Sequence, residues 1–129
     1  MDKVSEFLTR VRNAGAAKHE KVDVPNSKMR VGLATVLRDT GYIKNFKVVK
    51  DGKQGMMRIY LAYAEDGSHA ITNVRRASRP GRRYYVTCDK IPNVRSGFGM
   101  SILSTSKGIM GSKEATEKGL GGELLCTLY

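Results

Sequence analysis

The stretch "GYIKNFKVVKDGKQGMMRIYLAY", residues 41–63, changes the periodicity of the chain. Within it Met57, Ile59 and Leu61 alternate with Met56, Arg58 and Tyr60, the period-two pattern of a half-buried strand. "YIKNFKVV" (42–49) reads as its partner strand, and "KDGKQG" between them as the turn of a hairpin. Helical spacing precedes this stretch and does not return directly after it. A hairpin that follows helices, without alternating with them, argues for an α+β fold.

Upstream, residues 2–14 are predicted to form a helix. Val4, Phe7, Leu8 and Val11 recur at the i, i+3, i+4, i+7 spacing of one buried face. Asp2 can cap its start, and Gly15 can end it. "EKVDVP" alternates Val22 and Val24 with charges and reads as a short strand closed by Pro25. Ser27 is a good N-cap for a second helix through about Asp39, with Met29, Leu33, Val36 and Leu37 inward and Gly41 as its stop signal. Residues 1–64 are therefore expected to form an N-terminal α-β-α-β-β subdomain.

Downstream, "EDGSH" is a turn, and residues 65–129 read as a second, mostly antiparallel β subdomain packed tightly against the first. "AITNV" and "YYVTC" are its early strands, separated by "RRASRPGRR", five Arg in nine residues. Alternation predicts that one of Tyr84 and Tyr85 faces the core and the other faces out. "SILSTSKGIMG" (101–111) follows a glycine-rich segment. After it come a short helix capped by Ser112, the sequence "GLGG" as C-cap and turn, and a last strand "ELLCTLY".

The chain has 129 residues, with 23 Lys and Arg against 12 acids, a net charge of +11. Residues 1–60 carry 13 bases and 6 acids, and residues 61–129 carry 10 and 6, so the excess is spread over both halves. A folded body this basic points to a polyanionic partner, most often nucleic acid. Cys88 and Cys126 lack CxxC spacing, and with His19 and His69 they do not make a zinc set; both histidines read as solvated surface residues. No cofactor or metal is expected. No apolar run is long enough to span a membrane and no signal peptide is evident, so the expected location is cytoplasmic.

Ser104-Thr105-Ser106-Lys107 matches S-x-x-K in form, but its S-D-N and K-T-G partners are absent and Gly108 follows at once, so an acylating enzyme is set aside. No P-loop is present. Hydroxyls with a Lys on a tight loop can instead donate to phosphate, ribose and base edges, and Gly108 clears room for close approach. The same residues also make an ordinary hairpin turn. "RRASRPGRRYY" offers guanidinium forks for phosphate beside a tyrosine that could stack on an unpaired base. Alternatively, it is a solvated basic hairpin.

Taken in order, "LTRVRNA" (8–14), "KHEKVDVPNSK" (18–28), "GYIKNF" (41–46), "DGKQG" (51–55), "RPGRRYY" (79–85), "GFGMSILSTSKGIM" (97–110) and "GLGGELLC" (119–126) resemble the bacterial family of small-subunit ribosomal protein eight. The resemblance runs nearly end to end. It implies two joined α+β subdomains and no catalytic role or small-molecule substrate. It implies binding to the central domain of small-subunit rRNA during assembly, and repression of its own operon through a messenger site. Small-subunit protein five is the neighbour it implies. By the same resemblance Ser104, Thr105, Ser106, Lys107 and Gly108 are the RNA-entering loop, with Tyr85 and Glu123 beside it. Thr9, Arg10, Arg12 and Asn13 match an RNA-facing helix surface. Lys28, Arg30 and Lys53 fall on the basic side of the first subdomain, and Arg79 and Arg83 lie in the arginine run. Arg82 departs from the family, where Leu is common. The alternative is a regulator that binds RNA or DNA outside the ribosome.

Overall fold

The computed structural model describes residues 3–50, 55–92 and 99–129. It divides into two compact units, Lys3–Thr72 and Asn73–Tyr129.

The first unit orders α1 (Lys3–Ala16), β1 (Lys21–Pro25), α2 (Lys28–Asp39), β2 (Ile43–Val49) and β3 (Met56–Leu61). All pairings are antiparallel and β3 is central, in the order β1-β3-β2. The expected alternation holds: Met57, Ile59 and Leu61 are buried and the intervening residues are not. The faces expected of the helices also point inward, with Val4, Phe7, Leu8 and Val11 on α1 and Leu33, Val36 and Leu37 on α2 all buried. Burying one fully covered aliphatic side chain contributes about 1.5–3 kcal/mol, so these rows dominate the stability of the unit.

Both helices end in the same hydrogen-bonded motif. At the end of α2, Tyr42 N donates to Leu37 O (2.8 Å) and Gly41 N to Arg38 O (3.2 Å), with Gly41 at φ +86°. Its start is capped as expected, by Arg30 N donating to Ser27 Oγ (3.2 Å). At the end of α1 the pattern repeats with His19 N to Ala14 O and Lys18 N to Gly15 O. The left-handed residue there is Lys18, at φ 62°, and the helix runs past Gly15.

Gly15 serves packing, not termination. A Cβ there would lie 2.1 Å from His69 Nδ1 and 2.4 Å from Cε1 and Cγ. His69 is correspondingly not a solvated surface residue. Its ring tilts against Tyr63 with centroids 5.5 Å apart, and its buried Nε2 has no hydrogen-bond partner. The Tyr63 hydroxyl donates to His19 O, and the Lys18 ammonium donates to Gly67 O while lying 5.7 Å from the Tyr63 ring centre. These contacts offset the strain of a non-glycine left-handed residue, about 1–3 kcal/mol.

The second unit holds a five-stranded antiparallel sheet. Its elements are β4 (Val74–Arg76), β5 (Tyr85–Val86), a single 3-10 turn (Cys88–Lys90), β6 (Met100–Thr105), β7 (Gly108–Gly111), α3 (Ser112–Glu117) and β8 (Gly122–Leu128). The path runs β4-β8-β6-β7, and β5 pairs with β8 beyond β4. Leu103, Met110, Ala115 and Leu124 form a core cluster that includes α3, with Ala77, Val86, Ile91 and Leu120 packed at its margin. Ser112 is the first residue of α3 and not its cap; Gly111 holds that position, and Ser112 Oγ accepts instead from Ser101 N (3.2 Å). Cys88 and Cys126 are both free thiols. Burial pushes the Cys126 pKa up to about 12, so it stays a protonated core residue.

His69 makes stability pH-dependent. Desolvation by burial, assisted by Lys18, holds its pKa below the ordinary 6.5, although the backbone at Ile71 acts in the other direction. The unfolded chain therefore takes up this proton first as pH falls, and stability is lost from about pH 6.5 down through the folded value. The melting temperature is expected to drop between about pH 7 and pH 5, and substitution of His69 by Gln should flatten that drop. Gly15→Ala should lower stability by about 1–3 kcal/mol in denaturant titration, because the His69 ring must be displaced.

Candidate nucleic-acid interface

The candidate interface is built on one cross-strand row. Ser104 of β6 lies opposite Glu123 of β8, and Glu123 lies opposite Tyr85 of β5. Directly opposed residues in antiparallel strands share a face, so a hydroxyl, a carboxylate and a phenol stand side by side across three strands. A bulge makes this face possible. Ile102 pairs with Cys126 and Leu103 with Leu124, which leaves Leu125 as an extra residue in β8. Leu124, Leu125 and Cys126 are consequently buried in succession, and the alternation resumes with Glu123 on the face away from the core cluster.

The row is drawn together by two glycines. A Cβ on Gly122 would lie 2.2 Å from Ser104 O, and one on Gly121 would lie 2.5 Å from Val86 O and 2.8 Å from Thr87 Cα. These clashes are with backbone, so no rotamer change relieves them. The "GLGG" segment thus does three things. Gly119 takes the left-handed φ of +68° after α3, as expected, and Gly121 and Gly122 let β8 press against β5 and β6.

Beside the row stands the hairpin of β6 and β7. Thr105 pairs with Gly108, and Ser106 and Lys107 form the exposed tip. Neither tip residue has positive φ; Gly108 does, at +109°. This is the arrangement of a hairpin turn whose left-handed position follows the tip, where glycine avoids a steric penalty. Thr105 Oγ1 donates to Gly108 O (2.8 Å) and accepts from Lys107 N (3.1 Å). Its proton is therefore spent within the turn. Ser104 and Ser106 keep the hydroxyl donors that can face a ligand.

Glu123 is held from the opposite edge. Its Oε2 accepts from Ser78 Oγ, fully buried, and from the Arg83 guanidinium (3.0 Å). Ser78 Oγ also accepts from Tyr84 N (3.2 Å), and Leu124 N donates to Tyr84 O (2.8 Å). The carboxylate is thus neutralised locally and acts as a brace between β8 and the arginine segment. Arg79 and Arg82 exchange two backbone hydrogen bonds (3.0 and 2.9 Å) around the Pro80-Gly81 turn, and both side chains are exposed. Tyr85 is 69% exposed and Tyr84 51%. The expectation that one of the two tyrosines is packed fails. The ladder of β5 is only two residues long, and the cover that the core cluster gives Val86 does not extend over Tyr84.

On the first unit, Arg10, Arg12 and Asn13 are exposed and Thr9 is half-buried. Arg10 is partly engaged, with Glu6 (3.3 Å) and Asp23 O (3.2 Å). Lys28 is exposed on α2. Arg30 is 4% exposed, donates to Pro25 O (2.9 Å) and pairs with Glu6 (3.4 Å). That burial removes it from any ligand surface; it locks α2 to α1 and to the end of β1. Lys53 lies outside the described residues, as does Asp2. A groove of about 620 Å³ in this unit is lined by Lys18, Lys44, Tyr60 and Tyr63 among others. Lys18 and Tyr63 are already committed to internal hydrogen bonds there.

Gly122→Ala is expected to cost about 1–3 kcal/mol, read as a lower denaturant midpoint. Ser78→Ala should cost a similar amount, since it strands the Tyr84 amide and removes one of the two donors to Glu123 Oε2.

The family model described as "Ribosomal protein S8" matches residues 2–129. The chain is 67% identical over 129 residues to the small ribosomal subunit protein uS8 of Bdellovibrio bacteriovorus, with 100% of both chains covered. It is 52% identical to the protein of the same name in Geotalea daltonii and 54% identical to that in Citrifermentans bemidjiense, each over 99% of this chain and 97% of the relative.

Proposed function

The chain belongs to the ribosomal protein S8 family, and we propose that its second unit binds the central domain of small-subunit rRNA through the Ser104–Glu123–Tyr85 row and the adjoining hairpin tip. Membership makes it a structural constituent of the small ribosomal subunit and not an enzyme.

The observation that carries the RNA reading is the row itself. A polar, partly aromatic strip lies on one sheet face, next to a projecting Ser106-Lys107 tip and the Arg79–Arg83 segment. Short hydroxyls reach ribose and base edges only when the backbone comes close. Gly108 keeps the backbone of the tip uncluttered, with open space where a Cβ would stand. Tyr85 offers a ring to an unstacked base, and the arginines offer charge to phosphate. Glu123 does not repel the RNA strongly, because Arg83 and Ser78 already engage it.

The N-terminal candidates Thr9, Arg10, Arg12, Asn13 and Lys28 supply further RNA contacts in this reading. The same surface would serve a messenger site that imitates the rRNA, and so repression of the protein's own operon. Small-subunit protein five is the expected protein neighbour.

The test is binding to a central-domain fragment of the organism's small-subunit rRNA, with total tRNA as competitor. Wild type should survive the competitor. Ser106→Ala and Tyr85→Ala should each weaken binding by about 1–3 kcal/mol, roughly 5- to 150-fold, and Tyr85→Phe should retain most of it. Arg79→Gln should reduce affinity and flatten its dependence on salt by about one counterion. Equal competition of wild type and variants by tRNA would reduce the protein to a generic polycation and overturn the reading.

A further inference from the structure

Tyr84 is the exposed aromatic that the proposed interface leaves unused. Its backbone is fixed on both sides, by its amide donating to Ser78 Oγ and by Leu124 N donating to its carbonyl. The second bond continues the β5–β8 ladder by one residue, from the Tyr85–Glu123 pair to Tyr84 beside Leu124. Leu124 in turn pairs with Leu103, and both are buried in the core cluster. Successive residues of a strand alternate faces. A second row therefore runs Leu103–Leu124–Tyr84 on the face opposite Ser104–Glu123–Tyr85. Its inner two members are core, and its last reaches solvent at the edge of β5 that pairs with no other strand among the described residues.

A Tyr that merely closed the rim of a core would bury most of its ring. Here half of Tyr84 is exposed, on a backbone held by two hydrogen bonds. Arg82, two residues earlier, is exposed and makes no ion pair among the described residues. The one acid paired to this strand, Glu123, points to the other face and is engaged by Ser78 and Arg83. An exposed ring on a pinned backbone, two residues from an exposed guanidinium, in a chain of net charge +11, is the chemistry that stacks an unpaired nucleobase and holds its phosphate.

We propose that Tyr84 is a second stacking platform for an unpaired RNA base, with Arg82 on its phosphate, so that the bound RNA grips the free edge of β5 from both faces. This rests on the RNA reading given above for Tyr85 and deepens it. Edge strands have one open side, and a ligand arriving there meets both faces at once.

The experiment compares Tyr84→Ile, Tyr84→Phe and Tyr85→Ala, each binding the same central-domain rRNA fragment across a salt series. Ile keeps an apolar side chain over Leu124 and removes the ring; melting curves check that the fold is retained. The expected result is that Tyr84→Ile binds about tenfold more weakly with an unchanged salt slope, while Tyr84→Phe binds like wild type. Arg82→Gln should lower the slope by about one counterion. If Tyr85→Ala weakens binding and Tyr84→Ile does not, the second platform is overturned while the first reading stands. If Phe is as weak as Ile, the hydroxyl and not the ring is used, and stacking is overturned. If neither tyrosine matters, both readings fall together.

Discussion

The second unit depends on two successive residues having no side chain. Gly121 and Gly122 bring the β8 backbone to distances at which a Cβ would strike the carbonyls of Val86 and Ser104. That closeness fixes the spacing of β5, β8 and β6 at one end of the sheet. It also fixes which residues become neighbours just beyond, where Ser104, Glu123 and Tyr85 fall in line. The bulge at Leu125 does the complementary work by setting the face. Without it the carboxylate would point into the core cluster, where an ion costs several kcal/mol to bury.

Electrostatics inside this patch are arranged locally and not by net charge. Within this basic patch an acid is answered by a base. Glu123 has Arg83 and the Ser78 hydroxyl, and through Ser78 it governs the Tyr84 backbone. Arg30 shows the same logic in the first unit. There a guanidinium is buried, and Glu6 and a main-chain carbonyl compensate it. Two arginines thus end in different roles, one buried and the other half-exposed, each beside an acid.

Much of the first unit was legible because its signals are local. The α1 and α2 faces, the Ser27 cap, the Gly41 stop and the β3 alternation each depend on residues a few positions apart. What failed to read depends on distant partners. Gly15 looks like a terminator until His69 is packed on it, and His69 looks solvated until Tyr63 and Gly15 surround it. Arg30 sits among basic neighbours in sequence, yet its partners lie in α1 and at the end of β1. Ser112 has the chemistry of a cap but is drawn to the Ser101 amide. The placing of Tyr85 beside Glu123 follows from pairing register and a bulge, neither of which has a local signature; only the resemblance to a known family put those two residues together beforehand.

The hairpin tip has a kinetic consequence. Thr105 already clasps Gly108 and Lys107, and the strands on either side are fully paired. Such a loop has little conformational entropy left to surrender when something docks. The burden of adjustment would then pass to the partner, which would have to bend, unstack or open to meet a surface that does not yield. Complexes of that kind form at a rate set by how often the flexible side adopts the right shape, and they last because the rigid side gives no easy path for peeling apart.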